Sequence, residues 1–236
     1  MATSRTSAPA FLLHSTPYRE TSLVVDLFTR EHGRIAAVAK GAKRPRSALR
    51  AVLLQFQPLL ATWTGARELR TLTGAEWTGG LPAPQGDALL CAFYLNELLM
   101  RLLPREDAHP ALYDAYEQAL RELSEGGAPA DETLRRFEWL LLRETGYAPD
   151  LERDAADRPI DDRGLYRWSP GGGFAAAEPG EASAVAGSTL RELAGGRFGS
   201  AAARQQAKYL MRAILAHHLD GAPLNTRQIL IDLHKL

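Results

Sequence analysis

In the first third of the chain the apolar positions recur with the short period of β-strands. Val25 and Leu27 fall on one face of a predicted strand, and Asp26 falls on the other. The stretch Glu31-His32-Gly33-Arg34 then predicts a turn, because its glycine can adopt a positive φ. The pattern therefore predicts a β-hairpin over residues 22–40.

The next segment, residues 41–56, instead carries apolar residues at helical spacing. Two further strand patterns follow over residues 58–64 and 68–78, and Gly65-Ala66-Arg67 joins them as a tight loop. Five strands with a helical piece between the third and the fourth are typical of the OB-fold, a small Greek-key barrel that often binds oligonucleotides. An SH3-like barrel is the nearest alternative.

A cluster of glycine and proline, Gly79-Gly80-Leu81-Pro82-Ala83-Pro84, separates the strand pattern from a helical one. Beyond this cluster the apolar period lengthens to about 3.6 residues. We therefore predict an α+β protein with an OB-fold β-barrel domain over residues 1–80 and a helical domain over residues 81–236.

The second domain contains a series of amphipathic stretches with capping signals. Asp131, Ser188 and Ser200 are placed to act as N-caps of three helices. The segment from 147 to 184 interrupts the helices with charge, proline and glycine, and it predicts either a short hairpin or an irregular loop. We predict helices over residues 87–103, 110–123, 131–145, 188–194, 200–219 and 226–233.

Composition places the chain among ordinary soluble proteins. Of its 236 residues, 45 % are apolar and 24 % are charged, which is enough to bury a core. The start of the chain lacks the apolar stretch of a secretory signal, and no run approaches the ~18 apolar residues of a membrane span. The single cysteine, Cys91, fits a reducing compartment. We expect a cytoplasmic protein with no membrane partner.

The net charge of zero hides an asymmetry between the two predicted domains. Residues 1–79 contain 11 Lys and Arg against 5 Asp and Glu, whereas residues 80–236 contain 17 against 23. The first part is therefore basic and the second acidic. An anionic partner is expected to bind the first part.

The positive charge is most concentrated directly after the predicted hairpin. Between His32 and Arg67 the chain has no acidic residue. Such density favours a phosphate-binding surface, since the partner's counterions are released on binding; a solvated charged loop is the alternative. The candidate DNA-binding residues are Lys40, Lys43, Arg44, Arg46 and Arg50, with Arg19 and Arg34 on the neighbouring barrel surface.

Four aromatic rings in the barrel are candidates for base stacking. They are Tyr18, Phe28, Phe56 and Trp63. For each ring taken singly, a place in the barrel core is the favoured interpretation, because large rings are usually buried.

Catalytic patterns are missing from the sequence. It contains no phosphate-binding P-loop and no nucleophile elbow. His217 and His218 are adjacent and cannot chelate a metal as an i, i+4 pair would. The acidic stretch over residues 150–162 is interleaved with arginine and predicts a solvated loop. We expect a non-enzymatic protein without cofactor, metal or small-molecule substrate; a metal-dependent nuclease acting near Asp154 and a pure protein adaptor are the alternatives.

Arg135 and Arg136 precede the large apolar residues Phe137 and Trp139. This combination suits the capture of an acidic peptide with an aromatic end, because arginine binds carboxylates with two hydrogen bonds. A helix with an ordinary polar face is the alternative, and it is the favoured interpretation.

Several strings of residues make the chain resemble the RecO family of bacterial recombination mediators. The likeness covers residues 10–150 and returns over 221–229. The strings are Phe11-Leu12-Leu13-His14, Tyr18-Arg19-Glu20-Thr21-Ser22-Leu23, Asp26-Leu27-Phe28-Thr29, Gly33-Arg34, Val38-Ala39-Lys40-Gly41-Ala42, Gln55-Phe56-Gln57-Pro58-Leu59-Leu60, Tyr94-Leu95-Asn96-Glu97-Leu98-Leu99, Leu134-Arg135-Arg136-Phe137-Glu138 and Gly146-Tyr147.

The resemblance implies an N-terminal OB-fold, binding of single- and double-stranded DNA, and annealing of complementary strands. It also implies partnership with RecR and with the acidic tail of single-strand-binding protein, so that the RecA recombinase can be loaded. Some members of the family carry a four-cysteine zinc site after the Gly-Tyr that matches Gly146-Tyr147. Because residues 147–184 contain no cysteine here, a metal-free hairpin is expected.

Overall fold

The computed structural model of the chain describes residues 5–66, 68–226 and 228–229. By packing, the chain divides into two compact units, Met1–Glu125 and Gly126–Leu236. The first unit therefore contains the barrel together with the first two long helices after it. The separate domain boundary at residue 80 stays a prediction.

The first unit is built on a closed five-stranded barrel with the order β1-β2-β3-β5-β4. Neighbouring strands are antiparallel except β3 and β5, which pair in parallel. A short helix lies between β3 and β4, so the OB-fold prediction is confirmed. The elements are β1 (Arg5–Tyr18), β2 (Ser22–Thr29), β3 (Gly33–Ala39), α1 (Ala48–Val52), β4 (Pro58–Thr64) and β5 (Leu69–Trp77).

Alternation along the strands sends one set of side chains into the barrel. Val25, Leu27 and Ile35 are fully buried there, and alanines fill the narrow places between the larger residues. Phe11 and Phe28 belong to the opposite face of β1 and β2 and are also fully buried. A second layer of the first unit must therefore cover that outer face.

Two helices, α2 (Asp87–Leu102) and α3 (Pro110–Glu125), provide this cover. The ring centroids of Phe11 and Tyr116 lie 5.1 Å apart, and those of Phe28 and Tyr113 lie 5.4 Å apart. Asn96 on α2 donates from Nδ2 to the carbonyl oxygen of Leu13 at 3.0 Å. Both helices match the predicted ranges to within two residues.

The described part of the second unit combines helices with a small sheet. Its three strands follow the order β7-β6-β8, and β6 and β7 form an antiparallel hairpin. For the segment between residues 147 and 184, the hairpin alternative is therefore correct. The elements are α4 (Ala130–Glu144), β6 (Leu165–Ser169), β7 (Gly173–Ala176), β8 (Val185–Ala186), α5 (Gly187–Gly195) and α6 (Ala201–His218).

Of the three predicted N-caps, one is confirmed and two are wrong. Ser200 is confirmed, since its hydroxyl accepts a hydrogen bond from the backbone N–H of Ala203 at 3.0 Å. Asp131 and Ser188 are wrong as caps, because α4 and α5 begin before them, after Pro129 and Ala186. Asp131 lies in the first turn of α4, where its charge still favours the helix dipole.

Residues 227 and 230–233 of the final predicted helix lie outside the described residues, whereas Asn225 and Thr226 are helical. None of the helices that the structure describes has the length and apolar character needed to cross a membrane.

Candidate nucleic-acid interface

The cation-rich segment over residues 40–50, called the basic loop below, leaves the end of β3 and leads into α1. Gly41 adopts a φ of +70°, which a residue with a Cβ rarely adopts. The backbone N–H of Lys43 donates to the carbonyl oxygen of Thr21 at 2.9 Å. This hydrogen bond ties the basic loop to the loop that joins β1 and β2.

These two loops enclose a groove of about 530 Å³, called the barrel groove below. Its positively charged residues are Arg19, Lys40 and Arg44, and its negatively charged residue is Glu20. The groove is completed by Tyr18, Thr21, Ser22, Val38 and Gly41. It lies at the β1–β2 loop end of β2 and β3, which is a place where OB-folds bind oligonucleotides.

The cations of the basic loop are exposed and uncompensated. Lys40, Lys43, Arg44, Arg46 and Arg50 are all exposed, and none forms an ion pair with an acidic residue that the structure describes. Only Lys40 and Arg44 line the barrel groove, so the other three extend the positive surface beyond it. This arrangement maximises the counterions that an anionic partner would release.

The β1–β2 loop contributes one further cation and one ring to the groove. The guanidinium carbon of Arg19 lies 5.2 Å from the ring centroid of Tyr18. Arg19 has a φ of +52°, a strained value for a residue with a side chain. Such strained positions often occur at functional sites.

Arg34 lies at the other end of β3, about 20 Å from Lys40 at ~3.3 Å per residue. Its Nη1 donates to the carbonyl oxygen of Met100 at 2.7 Å. Burial, and then the charge of Arg105, lower the pKa of Arg34 below its usual range. The structure therefore does not bring Arg34 to the barrel groove.

This end of the β2–β3 face is covered by the segment between α2 and α3. The backbone N–H of Glu106 donates to the carbonyl oxygen of Arg34 at 3.0 Å, and Arg105 pairs with Asp26 at 2.9 Å. A Cβ on Gly33 would collide with the backbone of Asp107. The Gly33–Arg34 end of the β2–β3 surface is thus occupied, although OB-folds commonly offer this surface to oligonucleotides. The local strand pattern does not reveal this covering.

The predicted stacking rings are mostly part of the protein interior. Phe28, Phe56 and Trp63 are buried, as the core interpretation expected. Tyr18 is half-buried and lines the barrel groove. It is the one of the four candidate rings that a base could reach.

In the second unit, Arg135 lies inside the protein, with its side chain only 7 % exposed. Its Nε donates to Oε2 of Glu138 at 2.6 Å, and its Nη2 donates to Oε1 of the same carboxylate. The Glu138 side chain is 1 % exposed. The guanidinium edge formed by Nε and Nη2, which could bind a partner's carboxylate with two hydrogen bonds, is thus engaged within α4.

Arg136 is half-buried on the same helix. Its Nη1 donates to Oε1 of Glu132 at 3.2 Å, and its aliphatic stem packs against Gly196. Phe137 and Trp139, which the sequence placed beside a peptide, are buried in the second unit. Arg136 is therefore the more accessible member of the predicted pair.

The acidic stretch over residues 150–162 forms ion pairs and hydrogen bonds among its own residues. Asp154 pairs with Arg158 at 2.7 Å and accepts hydrogen bonds from the backbone N–H groups of Ala156 and Arg158, each at 2.9 Å. The Arg158 guanidinium and these hydrogen bonds hold the pKa of Asp154 below its usual range. Within the described part of the chain, no group of three or more His, Cys, Asp or Glu side chains could hold a metal ion.

Comparison with known proteins adds two family matches that together span nearly the whole chain. The family model described as "Recombination protein O N terminal" matches residues 1–81, and that described as "Recombination protein O C terminal" matches residues 83–228. The first match covers the barrel and the barrel groove.

Curated relatives named "DNA repair protein RecO" show the same similarity. The protein from Ralstonia nicotianae is 52 % identical over 231 residues, which cover 97 % of this chain and 85 % of the relative. The protein from Burkholderia pseudomallei is 53 % identical, with 97 % and 84 % covered. The protein from Polynucleobacter asymbioticus is 50 % identical, with 97 % and 96 % covered.

Proposed function

Because the chain belongs to the RecO family of DNA repair proteins, we propose that it mediates homologous recombination by binding single- and double-stranded DNA and annealing complementary strands. The barrel groove and the basic loop are the proposed DNA contact. The observation that carries this proposal is the set of five exposed loop cations without an acidic partner among the described residues.

The geometry of the barrel groove supports contact with the sugar-phosphate backbone. Arg19, Lys40 and Arg44 line one concave surface, and the backbone at Gly41 has no side chain to keep a phosphate away. Tyr18 adds one half-buried ring at the same place. Cations that bind phosphates position a strand without reading its sequence, which is what an annealing protein requires.

Annealing needs no covalent chemistry. Two complementary strands repel each other through their phosphates, and a basic surface that screens this repulsion lowers the barrier to pairing. The base edges must stay free for the second strand. Exposed cations on a loop meet both conditions, because they bind the backbone from outside.

The experiment measures single-strand affinity against salt concentration. Five phosphate contacts predict a slope of log K against log[salt] of about −3.5, taking ~0.7 per contact. A variant with Lys43, Arg44 and Arg46 changed to Ala should flatten the slope to about −1.4, since ~0.7 is lost per cation. The same variant should also anneal strands more slowly.

The matched control removes three cations of the first unit that are already paired. Arg30 pairs with Asp114, Arg101 with Glu97 and Arg121 with Glu117. The variant with these three arginines changed to Ala has the same net charge as the loop variant. Equal slopes for the two variants would refute the basic loop as the DNA contact and leave only a net-charge effect.

Adding Mg²⁺ to the labelled strands distinguishes this proposal from a nuclease. Faster duplex formation with strands of unchanged length supports the mediator, whereas shortened strands support an enzyme. Asp154, the residue on which the nuclease alternative depends, is already bound by Arg158 and two backbone N–H groups. No DNA shift even at low salt would favour a pure protein adaptor.

We further propose that RecR and the acidic tail of single-strand-binding protein are partners, so that RecA is loaded on coated strands. For the acidic tail, Arg136 is the proposed contact, because Arg135 already binds Glu138 inside α4. Calorimetry with an acidic peptide should show weaker binding for Arg136→Ala and unchanged DNA binding. Unchanged peptide affinity would favour an ordinary polar helix face.

A further inference from the structure

The last long helix, α6, differs in charge from the other long helices. Its eighteen residues contain no Asp or Glu, whereas each of α2, α3, α4 and α5 contains at least one. It carries Arg204, Lys208, Arg212 and two histidines. In a region where acidic residues outnumber basic ones, this helix is locally basic.

The exposed face of α6 combines cations with a ring. Lys208, Tyr209 and Arg212 are all exposed and lie on one side of the helix. The guanidinium carbon of Arg212 is 5.9 Å from the centroid of the Tyr209 ring, and Tyr209 is 54 % exposed. Leu210 and Ile214 are buried on the opposite side of the helix. Packing in the core therefore does not require a tyrosine at position 209.

A cluster of rings packs around His217 and His218 at the C-terminal end of α6. At ~100° per residue, His217 lies at the edge of the exposed face and His218 lies on the other side of the helix. The ring centroids of Tyr147 and His218 lie 4.5 Å apart with the planes inclined by 20°. His217 lies 5.0 Å from His218 and 6.0 Å from Trp168, both between ring centroids. Tyr147 is 41 % exposed. Of these four rings, Tyr147 and His217 are exposed, whereas Trp168 and His218 are half-buried.

Length and composition fit a strand of nucleic acid. From Tyr209 to His217 the helix rises by about 12 Å, at ~1.5 Å per residue. This rise corresponds to about three or four phosphates at ~3.4 Å each. Cations bind the backbone while exposed rings stack on unpaired bases, and this combination is typical of proteins that bind single strands.

We propose that the exposed face of α6 around Lys208, Tyr209 and Arg212, extended towards its C-terminal end by His217 and Trp168, forms a second binding surface for single-stranded nucleic acid. We call it the α6 surface. The rings favour a single strand over a duplex, since the bases of a duplex already stack on each other. The inference rests on the proposed function in that the protein must act on DNA strands, but it adds a contact in the second unit.

The consequence concerns annealing. A protein with one strand surface in each unit holds two strands on one molecule, so that the encounter of complementary strands no longer depends on two separate proteins. The barrel groove alone would hold one strand. Loss of the α6 surface should therefore slow annealing more than it weakens binding of one short strand.

The test uses the full chain and fluorescent oligothymidine. In the Lys43, Arg44 and Arg46 alanine variant, adding Lys208→Gln, Tyr209→Gln and Arg212→Gln should lower the remaining affinity by about tenfold or more, because a stacking ring and two cations are lost. The matched control is Arg191→Gln with Arg197→Gln, two exposed cations elsewhere in the second unit.

The outcomes separate this inference from the proposed function. If the loop variant loses all oligothymidine binding and the α6 changes in an otherwise unaltered chain have no effect, the inference is wrong and the barrel groove stands. If the loop variant binds normally and the α6 variant does not, the barrel groove is wrong and the inference stands. Loss of binding to an acidic peptide alone would overturn the inference in favour of a peptide surface.

A second measurement needs no variant and so cannot fail through misfolding. Strands containing bromodeoxyuridine are cross-linked to the unaltered protein by ultraviolet light, and the modified peptides are mapped. We expect cross-links at Tyr209 or Trp168 in addition to Tyr18. Cross-links confined to the barrel would overturn the inference.

Discussion

Clustered cations occur in both the basic loop and α4, but the two clusters differ in their exposure and in their ion pairs. In the loop the cations are exposed, and none pairs with an acidic residue of the described chain. In α4 the two adjacent arginines each pair with a carboxylate of their own helix, Arg135 with Glu138 and Arg136 with Glu132. A cation cluster thus indicates a binding surface only where no acidic residue stands at contact spacing.

The sequence contains the signal for this difference. Glu138 is three residues after Arg135, and Glu132 is four residues before Arg136; both spacings bring side chains together on a helix. Around the basic loop no acidic residue occurs between His32 and Arg67. When each cation is compared with the residues three and four positions away, the sequence predicts that Arg135 forms an ion pair within its own helix.

The largest expected effect comes from breaking the buried pair in α4. Glu138→Gln should lower the free energy of unfolding by about 3–5 kcal/mol, because the Arg135 charge is then buried without its carboxylate. Urea denaturation measures the change. The comparison variant is Arg46→Ala in the basic loop, which should change stability by less than ~0.5 kcal/mol because Arg46 is exposed.

A loss below ~1 kcal/mol for Glu138→Gln would contradict this assignment, since that is the range of an exposed pair. In that case the cations of the basic loop and of α4 would differ in their position, but the Arg135–Glu138 pair would not stabilise the fold as a buried ion pair does. A matching loss of DNA affinity with Glu138→Gln, at temperatures where the protein is folded, would also contradict it.

The next prediction compares the two ends of β3. The sequence predicts DNA binding for both Arg34 and Lys40, which lie at opposite ends of this strand. Arg34→Met should cost about 1–3 kcal/mol of stability, because the Met100 carbonyl loses a charged donor. It should leave the salt dependence of DNA binding unchanged. Lys40→Met should do the reverse, with little loss of stability and a slope smaller by ~0.7.

Equilibrium denaturation and salt titration of both variants test this comparison together. A reduced salt slope for Arg34→Met would show that DNA reaches the covered end of the β2–β3 face. The segment over residues 105–107 would then have to move away during binding.

The barrel itself could be predicted from the sequence because its signals are local. Alternation of apolar residues indicates the strands, and the turn at Gly33 indicates the hairpin. The covering of β2 and β3 could not be predicted, because the hydrogen bond from Glu106 to Arg34 joins residues about seventy positions apart. A period in the sequence shows which face is apolar, but it does not show what covers that face.

The candidate site could be predicted in part for the same reason. The basic loop is a run of neighbouring residues and is visible as such. The α6 surface is not, since Trp168 and His217 meet only in the folded second unit. As neighbours in the sequence, the two histidines suggest only a metal-ligand hypothesis, which the angle between them on a helix excludes.

The smallest expected effect is the pH dependence of stability, which concerns histidine side chains and not the lysines and arginines. Of the basic side chains, histidine is the one whose usual pKa lies between about pH 5 and pH 8. Burial lowers the pKa of His218 below its usual value, and the neighbouring His217 adds to this. The Tyr147 ring stacks on the same imidazole.

The lowered pKa of His218 fixes the sign of the pH dependence. Below about pH 6.5 the unfolded chain binds the proton more readily than the folded one, so acidification favours unfolding. Above that value His218 is neutral in both states and its contribution is constant. Urea midpoints measured between about pH 8 and pH 5 should therefore fall more for the unaltered protein than for His218→Phe, which keeps a ring against Tyr147. Equal slopes for the two proteins would assign the acid sensitivity to other groups, and a shallower fall for the unaltered protein would reverse the predicted sign.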